Sequence, residues 1–174
     1  MSKEDSLQSV YLDTSIFAGK VMMADQEDKQ CAILLGKISS NEFNQFRFLT
    51  SKFTLIEIAE LIARKVTEDK AKSTLFDLVY NPQIPIFLIN PEPAHKTLAR
   101  REYFDIDLLV ANIVNTALKH RMPGFDTIHA HTIFTVGERI IAVSKDTHFQ
   151  RFKNIKNVVD VVTATDFLKN YDIK

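Results

Sequence analysis

Four acidic residues suggest the chemistry of this chain. Asp13, Glu57, Asp126 and Asp146 each stand where a predicted strand passes into a helix, or within the first turns of that helix. Carboxylate oxygens are ligands that Mg²⁺ and Mn²⁺ prefer, and such an ion can activate a water and neutralise charge on a phosphate. Because ligands of parallel sheets bind beyond the carboxyl ends of the strands, we expect the four to meet there. The pattern predicts a metal site for cutting phosphodiesters.

Strands and helices alternate along the chain, as βαβ units require. Short apolar runs predict strands over residues 9–12, 47–50, 84–89, 139–143 and 157–161. Helical spacing of apolar residues predicts helices over roughly 23–40, 51–66, 70–80, 91–103, 108–122 and from 125 onward. This alternation predicts an α/β fold built on a parallel sheet.

Size and charge fit a single domain over residues 1–174. The chain has 174 residues, of which 45% are hydrophobic and 25% charged, so it can form one substantial core. Its formal net charge is zero, so nucleic-acid binding has to depend on local patches. Arg100 and Arg101, beside Tyr103 and Phe104, form one candidate patch for single-stranded RNA. Solvated and packing roles are the alternative for these four residues.

Several classes of protein are excluded or disfavoured. The 4 glycines form neither GxGxxG nor GxxxxGK[ST], which argues against dinucleotide cofactors and P-loop chemistry. The lone Cys31 excludes an internal disulfide. A polar start and the absence of about 18 consecutive apolar residues predict a cytoplasmic protein that does not enter membranes.

Four segments resemble, in order, the motifs of PIN-domain ribonucleases, the family that includes VapC-type toxins. They are residues 10–17, 51–57, 126–131 and 141–149, and with the final strand the resemblance covers nearly the whole chain. It implies a three-layer α/β/α sandwich with a central parallel sheet of four to five strands, often as a homodimer. The chain is longer than a minimal toxin of this type, with extra helices around 68–103.

The resemblance also implies roles for individual residues. Asp13, Glu57, Asp126 and Asp146 would hold one or two Mg²⁺ or Mn²⁺ ions. Thr14 or Ser15 would orient a carboxylate or the attacking water through a hydroxyl hydrogen bond. Each acid also has an ordinary alternative role, as a helix cap, a partner of the helix dipole or a turn former.

Three other residues near the presumed site are ambiguous. His148 stands two positions after the fourth aspartate, where many PIN proteins have a second acid, and His131 stands where a small apolar residue is usual. Glu60 lies one helical turn after Glu57 and could share or replace its role. A histidine satisfied on a helix face is the alternative for His131, so we assign neither histidine as catalytic.

The implied activity is that of a divalent-metal-dependent endoribonuclease acting on single-stranded or looped RNA. It would be the toxin of a toxin–antitoxin pair, with an antitoxin protein as partner, or a housekeeping RNA-processing enzyme. A haloacid-dehalogenase-like phosphatase is an alternative from another class, but it needs an acid where this chain has Ser15. A receiver-like domain lacks its paired acids here, and a catalytically inactive RNA-binding or protein-binding module is the remaining alternative.

Overall fold

The computed structural model describes residues 7–65, 85–89, 124–137 and 139–171, with isolated positions between 67 and 114. The helices predicted over 70–80, 91–103 and 108–122 lie outside the described residues, apart from those isolated positions. No helix within these ranges is long and apolar enough to cross a membrane.

A five-stranded parallel sheet forms the centre of the described part of the chain. Its strands are β1 Gln8–Leu12, β2 Phe46–Ser51, β3 Ile86–Ile89, β4 Ile140–Val143 and β5 Val158–Val162. They lie in the order β3-β2-β1-β4-β5, so β1 pairs with both β2 and β4. The five predicted strands are confirmed, with bounds that shift by one or two residues. All four residues of β4 are buried, as expected for a parallel strand covered on both faces.

Helices cover both faces of the sheet. They are α1 Thr14–Met22, α2 Gln26–Ser39, α3 Phe53–Lys65, α4 Gly124–Val136, a 3₁₀ helix Thr147–Asn154 and α5 Ala164–Tyr171. Side chains alternate across β1, so Val10 and Leu12 join the core beneath α1, α2, α3 and α5. Tyr11 points to the opposite core, beneath α4 and the 3₁₀ helix. This is the predicted α/β/α arrangement.

The helix predicted over 23–40 differs at its start. Met23 ends α1 in the left-handed region, with φ 49°, and a separate helix begins at Gln26. Asp25 caps α2, because its side chain accepts from the Asp28 N–H at 2.8 Å while the Asp28 carboxylate accepts from the Asp25 N–H. Apolar periodicity does not reveal this corner, since local capping bonds create it. The C-terminal helix α5 was also not predicted.

Two glycines provide a test of how closely α1 approaches α2. A β-carbon on Gly19 would lie 3.0 Å from both Cys31 Cβ and Asp28 Oδ1, whereas nothing lies within 4 Å of one on Gly36. We expect Gly36→Ala to raise the free energy of unfolding by about 0.5–1 kcal/mol through helix propensity. Gly19→Ala should lower the free energy of unfolding by roughly 1–2 kcal/mol, because the added methyl group would crowd Asp28 and Cys31. This crowding outweighs the gain in helix propensity. Urea unfolding measures both, and equal stabilisation would contradict the close approach.

Candidate active site

Asp13 lies directly after β1 and caps α1. Its Oδ2 accepts hydrogen bonds from Ser15 N at 3.2 Å, Ser15 Oγ at 2.5 Å and Ser144 Oγ at 2.7 Å. Its Oδ1 accepts none from the described residues and lies 3.6 Å from His129 Nε2. The Asp13 N–H also donates to the Val143 carbonyl, which ties the ends of β1 and β4 together. One carboxylate oxygen is therefore fixed, and the other is left for a further interaction.

Glu57 approaches the same place from α3. Its Oε2 accepts from Thr14 Oγ1 and from His129 Nε2, the latter at 2.6 Å. No described residue donates to Oε1. Thr14 thus holds Glu57, while Ser15 holds Asp13, and both hydroxyls belong to the first turn of α1. The roles predicted for Thr14 and Ser15 in orienting a carboxylate or water stay predictions.

His129 lies between these acids, and sequence reasoning did not identify it. The ring is 2% exposed, and its Nδ1 lies 2.6 Å from the Tyr11 hydroxyl. Burial lowers the pKa of His129, but the hydrogen bond to Glu57 and the charge of Asp13 outweigh it, so the pKa is raised. His129 follows Asp126 by three residues, which puts both on one face of α4. That spacing is the signal that could have found it.

Asp126 and Asp146 complete the predicted set. Asp126 lies in the first turn of α4, is partly buried and accepts no hydrogen bond from the described residues. Burial raises its pKa, and the negative charges of Asp13, Asp146 and Glu57 raise it further. Asp146 is exposed and caps the 3₁₀ helix, accepting from His148 N at 2.8 Å. The charges of the other three predicted acids therefore act on Asp126.

Ser144 joins two of these acids directly. Its hydroxyl donates to Asp13 Oδ2 at 2.7 Å and accepts from Asp146 N at 2.9 Å. The next backbone N–H, that of Lys145, donates to Ser15 Oγ at 2.9 Å. The loop after β4 is consequently bound to the first turn of α1, and these hydrogen bonds fix the position of Asp146 in that loop.

Lys145 lies next to Asp146 in the sequence, but its ammonium pairs elsewhere. Its Nζ lies 2.7 Å from Asp25 and 2.6 Å from Asp28, whose side chain is only 2% exposed. Burial lowers the pKa of Lys145, yet the hydrogen bonds to Asp25 and Asp28 outweigh it and raise the pKa. The two ion pairs of Lys145 connect the loop that carries Asp146 to the corner between α1 and α2.

The remaining predicted residues lie in different surroundings. Glu60 is exposed and pairs with Arg64 at 2.6 Å, on the outer side of α3. His131 is buried in α4, whereas the His148 side chain is exposed. Arg100 and Arg101 lie outside the described residues, so their part in RNA binding stays a prediction. The roles suggested for Glu60, His131 and His148 also stay predictions.

The donor set suits a hard divalent cation. Among the described residues, no three His, Cys, Asp or Glu side chains already converge to hold a metal ion. Burial and the charges of Asp13, Asp146 and Glu57 nevertheless raise the pKa of Asp126, and the charge of His129 opposes that rise. Asp13 Oδ1, Glu57 Oε1 and the Asp126 carboxylate accept no hydrogen bond from the described part of the chain. These free oxygens and the excess negative charge are what Mg²⁺ or Mn²⁺ requires.

Comparison with known proteins identifies a similar solved structure. No protein-family model and no curated protein match the chain. A chain in the crystal structure of VapBC2 from Rickettsia felis, bound to a DNA fragment from their promoter, is similar with a TM-score of 0.56. The identity is 11%, and the similarity covers 89% of this chain and 98% of the other. It concerns the fold alone, and it is consistent with the predicted PIN-like architecture.

The raised pKa of Asp126 predicts a pH-dependent change in stability. The pKa of Asp126 is higher in the folded than in the unfolded state, so its ionisation lowers the stability of the fold at pH 7. This loss of stability disappears as the pH falls through the folded-state pKa towards the unfolded-state pKa. We expect Asp126→Asn to raise the Tm in EDTA at pH 7, with a smaller gain near pH 4. Glu60→Gln removes a similar charge outside the acid cluster and should give no such gain. A lower Tm for Asp126→Asn would contradict the electrostatic reading.

The pairing of Lys145 with buried Asp28 predicts a loss of stability on truncation. Lys145→Met should lower the free energy of unfolding by roughly 2 kcal/mol, because it leaves the Asp28 carboxylate with too few partners. Lys37→Met is a matched control, since Lys37 pairs with the exposed Glu42 at 2.9 Å and should cost less than about 1 kcal/mol. Urea unfolding at pH 7 compares the two variants, and equal losses would argue against the importance of the buried pair.

Proposed function

We propose that this protein is a divalent-metal-dependent endoribonuclease that hydrolyses phosphodiester bonds of single-stranded or looped RNA. One observation carries the proposal: Asp13, after β1, and Glu57, on α3, lie 3.6 and 2.6 Å from the same His129 Nε2, and the Ser144 hydroxyl joins Asp13 to the backbone of Asp146. Such a concentration of like charge costs stability unless a cation or a proton compensates it. The need to bind a metal ion would explain why the fold keeps these like charges together.

Asp13, Glu57, Asp126 and Asp146 would hold the metal. Bound Mg²⁺ or Mn²⁺ would supply an activated water and neutralise charge on the scissile phosphate. The chain's own contribution is orientation. Ser15 and Ser144 fix Asp13, whereas Thr14 and His129 fix Glu57, and the second oxygen of each carboxylate accepts no hydrogen bond from the described residues.

The exposure of the acids bears on the substrate. Asp146 is exposed and Asp126 is only partly buried, whereas the side chains of Asp13 and Glu57 are 8% and 13% exposed. A partly enclosed cluster of this kind admits a single flexible strand more easily than a rigid duplex. This supports single-stranded or looped RNA as the substrate.

The similar structure bears on the biological setting. It is that of VapBC2 bound to a promoter DNA fragment, and this supports a toxin that pairs with an antitoxin protein. A housekeeping RNA-processing enzyme is the alternative setting. Homodimer formation is part of the same proposal, because the PIN resemblance implies it.

The rival phosphatase activity has less support from the site. A haloacid-dehalogenase-like phosphatase would place an acid two residues after Asp13. Ser15 occupies that position, and its hydroxyl donates to Asp13 instead. An inactive binding module would need no free carboxylate oxygens, whereas Asp13 and Glu57 each keep one oxygen that accepts nothing from the part of the chain that the structure describes.

Cleavage assays test the proposed activity. Labelled single-stranded, stem-loop and duplex RNA would be incubated with the protein and Mn²⁺ or Mg²⁺, with EDTA as the metal-free arm. We expect Asp13→Asn and Glu57→Gln to reduce cleavage by roughly 100-fold or more, the scale for losing a group that stabilises transition-state charge. Glu60→Gln should cleave like the natural sequence, because Glu60 pairs with Arg64 on the outer side of α3.

Two outcomes would contradict the proposal. The first is cleavage that persists both in EDTA and in Asp13→Asn. The second is efficient hydrolysis of a phosphomonoester such as p-nitrophenyl phosphate in place of RNA, which would favour the phosphatase.

A further inference from the structure

We infer that His129 is a positioning residue: hydrogen bonds from Tyr11 through His129 hold the Glu57 carboxylate ready to bind a divalent cation. This inference rests on the proposed function, since it concerns the same site. It adds a residue and a role that the four-acid pattern does not contain. The argument comes from the contacts of the imidazole ring.

Both ring nitrogens of His129 are already engaged. Nδ1 lies 2.6 Å from the Tyr11 hydroxyl, and Nε2 lies 2.6 Å from Glu57 Oε2. The ring also packs edge-on against Tyr11, with centroids 5.8 Å apart, and near Phe149 at 6.0 Å. A ring that is 2% exposed, with no free nitrogen, can neither bind a metal itself nor exchange a proton with substrate. The remaining role is to hold Glu57.

The direction of the hydrogen bonds follows from the partners. An ionised Glu57 can only accept, so Nε2 donates its proton to Oε2. Burial and the charges of Asp13 and Glu57 raise the pKa of Tyr11, which keeps it a phenol. Its hydroxyl can donate to Nδ1 or accept from it, so the Nε2–H bond to Glu57 persists in both states of the imidazole. The orientation therefore does not depend on the charge of His129.

Two donors from different helices fix the same oxygen of Glu57. Thr14 belongs to α1 and His129 to α4, and both bind Oε2. Oε1 accepts nothing from the described residues and is left for a cation. Nε2 lies 3.6 Å from Asp13 Oδ1 as well, so the imidazole lies between the carboxylates of Asp13 and Glu57. Fixing ligands before the metal arrives strengthens binding and sets its geometry.

Mn²⁺ binding without RNA tests this role separately from cleavage. Free Mn²⁺ would be measured by EPR during titration of Tyr11→Phe, His129→Leu and His129→Gln. We expect Tyr11→Phe and His129→Leu to weaken Mn²⁺ binding by roughly 10-fold, the scale for losing an outer partner of a ligand. His129→Gln keeps an N–H donor and should bind more tightly than His129→Leu. Tyr171→Phe is the matched control, because Tyr171 packs on Phe167 in the other core.

A double-mutant cycle separates positioning from general stability. If His129 acts through Glu57, His129→Leu should add no further loss of Mn²⁺ affinity to Glu57→Gln. Tyr11→Phe, with the same ring, repeats the cycle should His129→Leu fail to fold by circular dichroism. Additive losses, or unchanged Mn²⁺ affinity in the folded variants, would overturn the inference.

The outcomes also distinguish this inference from the proposed function. If Mn²⁺ binding depends on His129 but the protein cleaves no RNA, the proposed ribonuclease activity is wrong and the positioning role of His129 stands. RNA cleavage with Mn²⁺ affinity independent of His129 and Tyr11 would do the reverse. Absence of Mn²⁺ binding by the natural sequence would overturn both.

Discussion

Repulsion between carboxylates is the constraint around which this fold is arranged. Each negative charge at the site makes it costlier to ionise the next, and at Asp126 burial and then the charges of Asp13, Asp146 and Glu57 raise the pKa. The protein counters the repulsion with short hydrogen bonds to single oxygens. Hydroxyls from Ser15 and Ser144 hold Asp13, and Thr14 with His129 holds Glu57. These hydrogen bonds keep Asp13 and Glu57 near each other.

The sheet determines which side chains can supply these bonds. β1 is the central strand, and its alternation sends Tyr11 towards α4 while Val10 and Leu12 face the opposite core. Tyr11 is therefore a core residue whose hydroxyl reaches His129. A slip of β1 by one residue would exchange the two faces and remove that hydroxyl from α4. Packing of the core and orientation of the site depend on the same register.

Sequence patterns predicted the sheet, and they predicted that Asp13 and Asp146 follow two of its strands. Apolar runs mark buried strands, and Asp13 and Asp146 follow two that pair side by side. Contacts between residues that are far apart in the sequence leave no pattern of apolar residues that would predict them. Tyr11 and His129 are 118 residues apart, and Lys145 and Asp28 are 117 apart. The corner at Met23 was missed for a local reason, because capping bonds rather than apolar spacing end one helix and start the next.

Lys145 shows how the site keeps its negative charge. A lysine beside Asp146 in sequence could neutralise the acids, and the cluster would then have less need of an outside cation. Asp25 and Asp28 bind its ammonium at the corner between α1 and α2, with Asp28 buried and Lys145 partly exposed. Because leaving a buried carboxylate unpaired is costly, Lys145 is held to that corner. The same two ion pairs fix the loop that carries Asp146, so they order that loop and bind the ammonium of Lys145 at the corner between α1 and α2.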